Sequence, residues 1–360
     1  MQDNAMSRWL SPLMAFCLSF IIIATLAPIV GIQAERQLDF WLLWLGTMLV
    51  LALPICYLEI ALAKRSKTTA LNALSSLTRD ADASPRWRLV GWLAVVFIPF
   101  LAGAMLSSVS QYSAQWLIQG VAPQFIFMGI AIAALVLSLL PRLALAGITA
   151  LGVIAALIFA QISGTALPEW HMTALEFGEW GSATVLALVA SGLGLGLYWQ
   201  TSLVQAKQQD IASKTVLPIW FAQLVAVLAF AYFAVAAQLP VIALLVATIA
   251  GAALLLQLAR EQLAQRQMVV VVQWAIIAGA VLVWAIPEIT AIFNMVLVLW
   301  GLVICLIYSL FAGWIMKISH LRKAMNFSNE LFYNVWRIAV RIVLPLSILL
   351  AIVSVLGQLI

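Results

Sequence analysis

The chain has 360 residues, of which 65% are hydrophobic and only 9% are charged, and its formal net charge is +5. Its charges occur in short clusters that are separated by long charge-free runs. Such runs span a bilayer as helices when they reach about 18 apolar residues, because hydrocarbon offers no other partner for backbone polar groups. The composition therefore predicts an integral membrane protein and excludes a soluble globular domain.

Nine charge-free runs predict the membrane-spanning segments in chain order: 9–34, 40–58, 89–141, 143–168, 180–206, 215–259, 267–287, 289–316 and 342–360. Two of them, 89–141 and 215–259, are long enough for two spans each, with joins at Gly120–Gln124 and near Gln238–Pro240. The sequence thus predicts eleven transmembrane helices, which we number as spans one to eleven.

The basic residues support this count and indicate an orientation. With the N-terminus inside, seventeen of the eighteen Lys and Arg residues fall on the inner side, and only Arg36 falls outside. Cytoplasmic loops carry an excess of Lys and Arg, and a wrong count would scramble the segregation from the error onward. We predict a multi-pass protein of the cell (inner) membrane with a cytoplasmic N-terminus. Its positive charge faces membrane lipid and is no sign of nucleic-acid binding.

Two spans contain residues that disfavour a regular helix. In span one, Pro28 removes a backbone hydrogen bond and crowds the carbonyl of Ala24, which predicts a kink or break. In span six, Gly192, Gly194 and Gly196 each cost about 0.8–1.0 kcal/mol of helix propensity relative to alanine. Two interpretations of span six stay open: a broken helix that presents backbone groups to a cavity, or a small-residue seam against another helix.

Spans one and six also occupy matching positions, since each begins a set of five within spans one to ten. An odd number of spans gives the two sets opposite orientations. Paired interrupted helices in inverted repeats are the best sequence indication of a transporter's midplane binding site. The pattern predicts one transmembrane domain over 1–360, with repeats over about 9–163 and 180–316 and an extra helix over about 335–358.

Further motifs occur in an order that is typical of one membrane-protein family. They are Pro54 and Glu59 in span two, Pro168-Glu169 after span five, Gly313-Trp314 in span ten, and Trp336, Arg337, Arg341 and Pro345 in the last helix. In this order the chain resembles the neurotransmitter:sodium symporter family in its short, eleven-span bacterial form. The resemblance implies an all-α, LeuT-like fold, a five-plus-five inverted repeat in which helices 1 and 6 are broken at the substrate site.

The resemblance also implies candidate site residues. The positions that would line the substrate cavity are Ala24, Thr25, Ser110, Ser191, Gly192, Gly194 and Gly196. Glu59 would hydrogen-bond the unwound backbone of span six, although a carboxylate near a helix end also reaches the interface by snorkelling. The family pairs an N-terminal arginine with an acid at the inner end of span eight, which here sets Arg8 against Glu261 as a gate.

The ion site departs from the family pattern. The stretch 24–28 has neither the glycines nor the Asn of the family, and Thr248 is the single hydroxyl over 243–250. Sodium is a hard cation that requires several oxygen ligands, and span one offers Thr25 and carbonyls. We therefore expect no cofactor and no metal-ligating side-chain set. Binding of Na+ would require backbone carbonyls to replace the lost ligands.

Two functions stay open. The first is a secondary transporter that moves a small amino-acid-like or neutral solute by alternating access, with Glu59 as the intramembrane group able to carry a proton. The second is a non-transporting pseudo-symporter that acts as a membrane subunit or docking partner, which the large residues Phe20, Ile21, Ile22 and Ile23 favour. A protein partner on the cytoplasmic face and a homo-oligomer are compatible with the sequence. An enzyme is not expected, because no acid–base pair shares a span.

The longest inner connection, Lys64–Arg88, contains one more candidate element. Apolar residues recur over 68–77 at helical spacing. This pattern predicts an amphipathic helix that lies along the membrane surface.

Overall fold

The computed structural model describes residues 2–27, 29, 37–162, 169–190, 212–234, 240–327 and 329–357. Helices dominate these segments. In chain order the α-helices are α1 (Gln2–Leu26), α2 (Leu38–Thr47), α3 (Leu53–Ser66), α4 (Ala70–Asp80), α5 (Leu89–Trp116), α6 (Pro123–Leu137), α7 (Arg142–Ile162), α8 (Phe177–Ala190), α9 (Ser213–Ala229), α10 (Val241–Gln265), α11 (Val270–Leu282), α12 (Thr290–Leu310), α13 (Ile318–Met325), α14 (Glu330–Ile338) and α15 (Leu344–Gly357).

Eight helical segments of the described ranges are long and apolar enough to cross a bilayer. They contain α1, α2–α3, α5, α7, α9, α10, α12 and α14–α15, which correspond to predicted spans one, two, three, five, seven, eight, ten and eleven. Spans four and nine correspond to shorter apolar helices, Pro123–Leu137 and Val270–Ala285, and α8 begins span six. A 15-residue helix measures about 22 Å against a hydrocarbon core of about 30 Å. The protein is therefore a multi-pass helical membrane protein, and the count of eleven stays a prediction.

Wide π turns interrupt several spans: Met48–Ala52, Phe230–Ala234, Phe311–Ile315 and Ala339–Val343. The last of these turns lies just before Pro345, which has no N–H to offer the carbonyl of Arg341. The Trp314 indole takes the place of the missing N–H donor, since its Nε1 atom donates to the Arg341 carbonyl at 2.9 Å. In span two, Trp220 Nε1 donates in the same way to the carbonyl of Met48 at 2.9 Å. Tryptophans of neighbouring spans thus hydrogen-bond the backbone at two of these turns, and the Met48 carbonyl also accepts from the Leu53 N–H.

Helix α10 lies among α5, α6, α7 and α11, and it packs most extensively against α5 and α7. At this crossing Gly152 faces Ala247, and a Cβ atom added to Gly152 would lie 2.9 Å from the Ala247 Cα atom. On another face of α10, Gly251 contacts α1, where an added Cβ atom would lie 3.1 Å from Ile21 Cδ1. Small residues therefore let the backbones of spans one, five and eight pack closely, as in other membrane helix interfaces.

Helix α1 is continuous from Gln2 to Leu26, so the break expected at Ala24 does not occur within it. The Ala27 N–H still donates to the Ile23 carbonyl at 2.8 Å. The helix ends two residues before Pro28, which itself lies outside the described residues. Proline disfavours the helical conformation of the residue before it, and this effect terminates the helix without unwinding the preceding turn.

The loop between spans two and three contains the predicted amphipathic helix, α4, which begins two residues later and ends three residues later than expected. Its Leu71, Leu74 and Leu77 side chains are buried. Helix α4 is joined to span ten, since the Tyr308 hydroxyl donates to the Ala70 carbonyl at 3.3 Å. The apolar face of α4 thus packs on the protein.

Arg266, at the end of α10, holds α4 to the rest of the bundle. Its Nη2 atom donates to the carbonyls of Gly91 at 2.9 Å and Leu71 at 3.3 Å. Its Nε atom donates to Asn72 Oδ1 at 3.1 Å. The guanidinium carbon lies 4.5 Å from the centre of the Trp92 ring, within the range of a cation–π contact. One side chain therefore links the ends of spans eight and three to α4.

Candidate functional site

A small cavity lies where the end of α1 meets α5, α8 and α12. Its lining residues are Leu26, Ile29, Phe97, Leu101, Val185, Leu186, Leu297 and Val298. The cavity volume is about 10 Å³, which is room for about one water molecule. All eight side chains are apolar, and a water molecule needs polar partners to occupy such a space. The cavity is therefore suited to an apolar group, and its present size admits nothing larger than a methyl-sized group.

Three of the predicted substrate-binding residues, Ala24, Thr25 and Ser110, lie in the described ranges and are buried. The Thr25 hydroxyl donates to the Ile21 carbonyl at 2.8 Å, and the Ser110 hydroxyl donates to the Ser107 carbonyl at 2.7 Å. Both hydroxyl protons are thus used within their own helices, and none of the three residues lines the cavity. The other four, Ser191, Gly192, Gly194 and Gly196, lie outside the described residues, so a role for them stays a prediction.

Span three contributes Phe97 and Leu101 to the cavity in place of Ser110. They are four residues apart and share one helix face, but this spacing is equally typical of a packed core. Ser108 also contacts span one, because its hydroxyl donates to the Thr25 carbonyl at 2.7 Å. Thr25 lies in the last turn of α1, so its carbonyl cannot accept from the N–H of a following helical turn. Ser108 is not among the predicted site residues, although it adjoins other hydroxyl-bearing positions of the same helix.

Glu59 is 2% exposed in α3. Its carboxyl group lies close enough to Cys56, Cys305 and Tyr308 to act on them electrostatically. A side chain with this burial does not reach the aqueous interface, so the snorkelling interpretation is wrong. Glu59 of span two instead lies inside the protein, within electrostatic range of Tyr308 of span ten, and its expected contact with the span six backbone stays a prediction.

Glu261 pairs with Arg142, whereas its expected pairing with Arg8 stays a prediction. The carboxylate of Glu261 accepts a hydrogen bond from Arg142 Nη2, and one turn earlier Gln257 Nε2 donates to the Leu140 carbonyl at 3.0 Å. Both contacts follow from the packing of α7 along α10, which brings the start of span five to the end of span eight. The Arg8 side chain lies outside the described residues. Within those residues, Glu261 holds the loop between spans four and five.

Replacement of Glu261 by glutamine tests this assignment. We expect Glu261→Gln and Arg142→Gln to lower the free energy of unfolding by less than about 1 kcal/mol each, because the pair is partly exposed and water screens it. The double variant should lose no more than either single variant, measured by thermal unfolding in detergent. Arg8→Gln should leave the midpoint unchanged. A loss in Arg8→Gln that disappears in the Glu261→Gln background would instead support the predicted gate pair.

The ion site is described only in part. Within the described ranges no group of three or more His, Cys, Asp or Glu residues is placed to hold a metal ion. Thr248 of span eight is fully buried, and its hydroxyl has no hydrogen-bond partner there. A single hydroxyl is too few oxygen ligands for a hard cation. Binding of Na+ would therefore require backbone carbonyls as the other ligands.

Comparison with known proteins identifies the fold. No protein-family model matches the chain, and no curated protein matches it. Among solved structures, the chain is similar to the crystal structure of MhsT in complex with L-phenylalanine, with a TM-score of 0.60 and 16% sequence identity. The match covers 96% of this chain and 98% of that chain. The chain therefore has a LeuT-like fold. A shared fold leaves the solute and the coupling ion open.

Proposed function

We propose that this protein is a secondary transporter that moves a small amino-acid-like or neutral solute with an apolar side chain by alternating access. The apolar cavity between the end of α1 and α5, α8 and α12 carries this proposal. Helices α1 and α8 begin the two predicted repeats, and transporters of this kind bind their solute near the midplane at the repeat interface. The contribution of both helices to the cavity supports this proposal, and its lining matches an apolar side chain.

The cavity dimensions restrict the mechanism. A volume of about 10 Å³ is far below the 300–1,000 Å³ that is typical of a ligand pocket. The lining helices must separate before a solute enters, so the described arrangement corresponds to a closed site. No charged side chain lines the cavity, which leaves the polar groups of a solute to the backbone of span six at Ser191, Gly192, Gly194 and Gly196.

A proton is the coupling ion that the chain best supports. Glu59 is a buried intramembrane carboxyl group, and such groups commonly belong to ion or proton pathways. Sodium coupling is weaker, since the expected ligands of spans one and eight are reduced to Thr25 and Thr248. Under this proposal the N-terminus is cytoplasmic and the cell (inner) membrane is the site of action.

Uptake into proteoliposomes tests the proposal. We expect uptake of leucine or alanine that follows a pH gradient, is unchanged by a sodium gradient and is lost in Glu59→Gln. Leu101→Ala should enlarge the cavity and raise the uptake of phenylalanine relative to alanine about tenfold, since a pocket methylene alters discrimination by that order. The matched control is Leu151→Ala, whose side chain is 69% exposed on the outside of the bundle.

The same assay separates the second candidate, a non-transporting pseudo-symporter. The packing of span one favours it, because Phe20, Ile21 and Ile22 are fully buried and fill the centre of the bundle. In that case the purified protein moves no solute, and no amino acid raises its unfolding temperature. Its partner would then be a protein on the cytoplasmic face or a second copy of the chain, which crosslinking in membranes would identify.

A further inference from the structure

We propose that the predicted cytoplasmic end of the junction between spans ten and eleven binds the headgroup of an anionic phospholipid. The site centres on a reciprocal contact between the two spans. Arg341 Nε donates to the Gly313 carbonyl at 2.6 Å, and Trp314 Nε1 donates to the Arg341 carbonyl at 2.9 Å. The guanidinium carbon of Arg341 lies 6.0 Å from the centre of the Trp314 ring. These contacts fix one cation and one aromatic ring together.

Both spans place this contact at a boundary of the hydrocarbon. The charge-free run of span ten ends at residue 316, and that of span eleven begins at residue 342. Trp314 and Arg341 therefore share one depth, that of the headgroups. The Trp314 side chain is 63% exposed, and tryptophan is enriched at this level of membrane proteins.

Within the described residues, three cations of this junction have no carboxylate partner. After Glu288 the chain has five Lys and Arg residues and one acid, Glu330, and that acid pairs with Arg322 at 3.5 Å. No carboxylate of the described residues pairs with Lys317, Arg337 or Arg341. Arg341 is positioned instead by a neutral carbonyl, which engages Nε alone. Its planar guanidinium matches the geometry of a phosphate, and attraction to an anion is strong beside a low-dielectric phase.

Apolar side chains surround the cations on the outside of the bundle. Ile315, Ile338 and Ile342 are 40%, 51% and 55% exposed. A free phosphate ion would leave these side chains uncovered, whereas a phospholipid offers acyl chains for them and a phosphate for the guanidinium. The excess of Lys and Arg in cytoplasmic loops accounts for cations on this side. It does not require an arginine that is hydrogen-bonded to the neighbouring span at the hydrocarbon boundary. An anionic phospholipid meets both requirements.

Native mass spectrometry of the full-length protein, delipidated in a neutral detergent, tests the site with phosphatidylglycerol and with phosphatidylcholine as probes. We expect one phosphatidylglycerol adduct that survives at collision energies that remove phosphatidylcholine. Arg337→Gln and Lys317→Gln should each weaken phosphatidylglycerol binding about fivefold, the expected effect of one basic residue near an anionic lipid. Arg341→Lys should weaken it too, because lysine keeps the charge but loses the planar fork.

The control is Arg86→Gln, an exposed cation on the same predicted side of the membrane, before span three. Equal weakening in Arg86→Gln would overturn the site, because binding would then follow total charge. Loss of the phosphatidylglycerol adduct in millimolar inorganic phosphate would show that a free anion occupies the site. That result would also overturn the proposed lipid site. Unchanged binding in both Arg337→Gln and Lys317→Gln would do the same. These two variants leave the Arg341–Gly313 contact intact, so a folding defect in an Arg341 variant cannot obscure the result.

Discussion

Substitution of Gly152 by leucine is expected to prevent stable folding. Even a Cβ atom at this position would lie 2.9 Å from the backbone N and Cα atoms of Ala247, and backbone atoms cannot rotate away as a long side chain can. Excess volume in a packed core typically costs about 1–3 kcal/mol for a few methylene groups. Leucine adds four carbon atoms against a main chain, so we expect a loss above that range. The measurement is the yield of monodisperse protein and its unfolding temperature in detergent.

Gly147 of the same helix provides the matched control. A Cβ atom there would meet nothing within 4 Å, so Gly147→Leu should fold normally and gain helix propensity. Gly152→Ala should fall between the two, with a lowered unfolding temperature. Equal stability of Gly152→Leu and Gly147→Leu would show that spans five and eight do not cross at Gly152 and Ala247, and the helix packing described above would be wrong there.

Arg266→Ala is expected to lower the free energy of unfolding by about 3–5 kcal/mol, because hydrogen bonds to charged groups contribute about 1.5–3 kcal/mol each. The substitution removes the donor for the carbonyls of Leu71 and Gly91 and for the Asn72 side chain. We expect proteolysis to detect the change first in the loop of α4, since this helix would keep only its hydrogen bonds to Gln262 and Gln265 of span eight. Thermal unfolding in detergent gives the magnitude.

Arg260 of the same helix is the control for Arg266. The contact of its guanidinium is with the Trp274 ring, 5.5 Å away, so Arg260→Ala should cost less than about 1 kcal/mol. Arg266→Lys should lie close to Arg266→Ala, because one ammonium group cannot reach acceptors on both α4 and span three. If Arg266→Lys retains full stability, charge alone holds α4 and the individual hydrogen bonds are unimportant.

The features of the fold that follow from local chemistry were predictable from the sequence. Long charge-free runs correspond to helices because hydrocarbon demands internal backbone hydrogen bonding, and many described helices begin or end near a cluster of charge, except at the joins within 89–141 and 215–259. The amphipathic helix α4 followed from its apolar spacing. The order of motifs from Pro54 to Pro345 indicated the LeuT-like fold, which the structural comparison supports.

The site was less predictable, because its residues are defined by neighbours that are distant in sequence. Phe97 and Leu101 line the cavity, yet an apolar residue that faces a cavity has the same sequence pattern as one that faces the core. Glu261 lies 119 residues from Arg142, and their pairing depends on how α7 crosses α10. Helix α1 continues through Ala24 and ends at Leu26, because Pro28 acts on the residue before it and leaves the preceding turn helical.

The π turn Met48–Ala52 determines the direction in which Glu59 points. Each helical residue advances the chain by about 100° around the axis, and a π turn accommodates one more residue than a regular turn. Everything after residue 52 in span two is therefore rotated by about a quarter-turn relative to an unbroken α-helix. A helical wheel drawn through the whole span puts Glu59 on the wrong side. Loss of one residue from this turn would carry the carboxylate away from span ten while leaving every side chain before residue 48 in place.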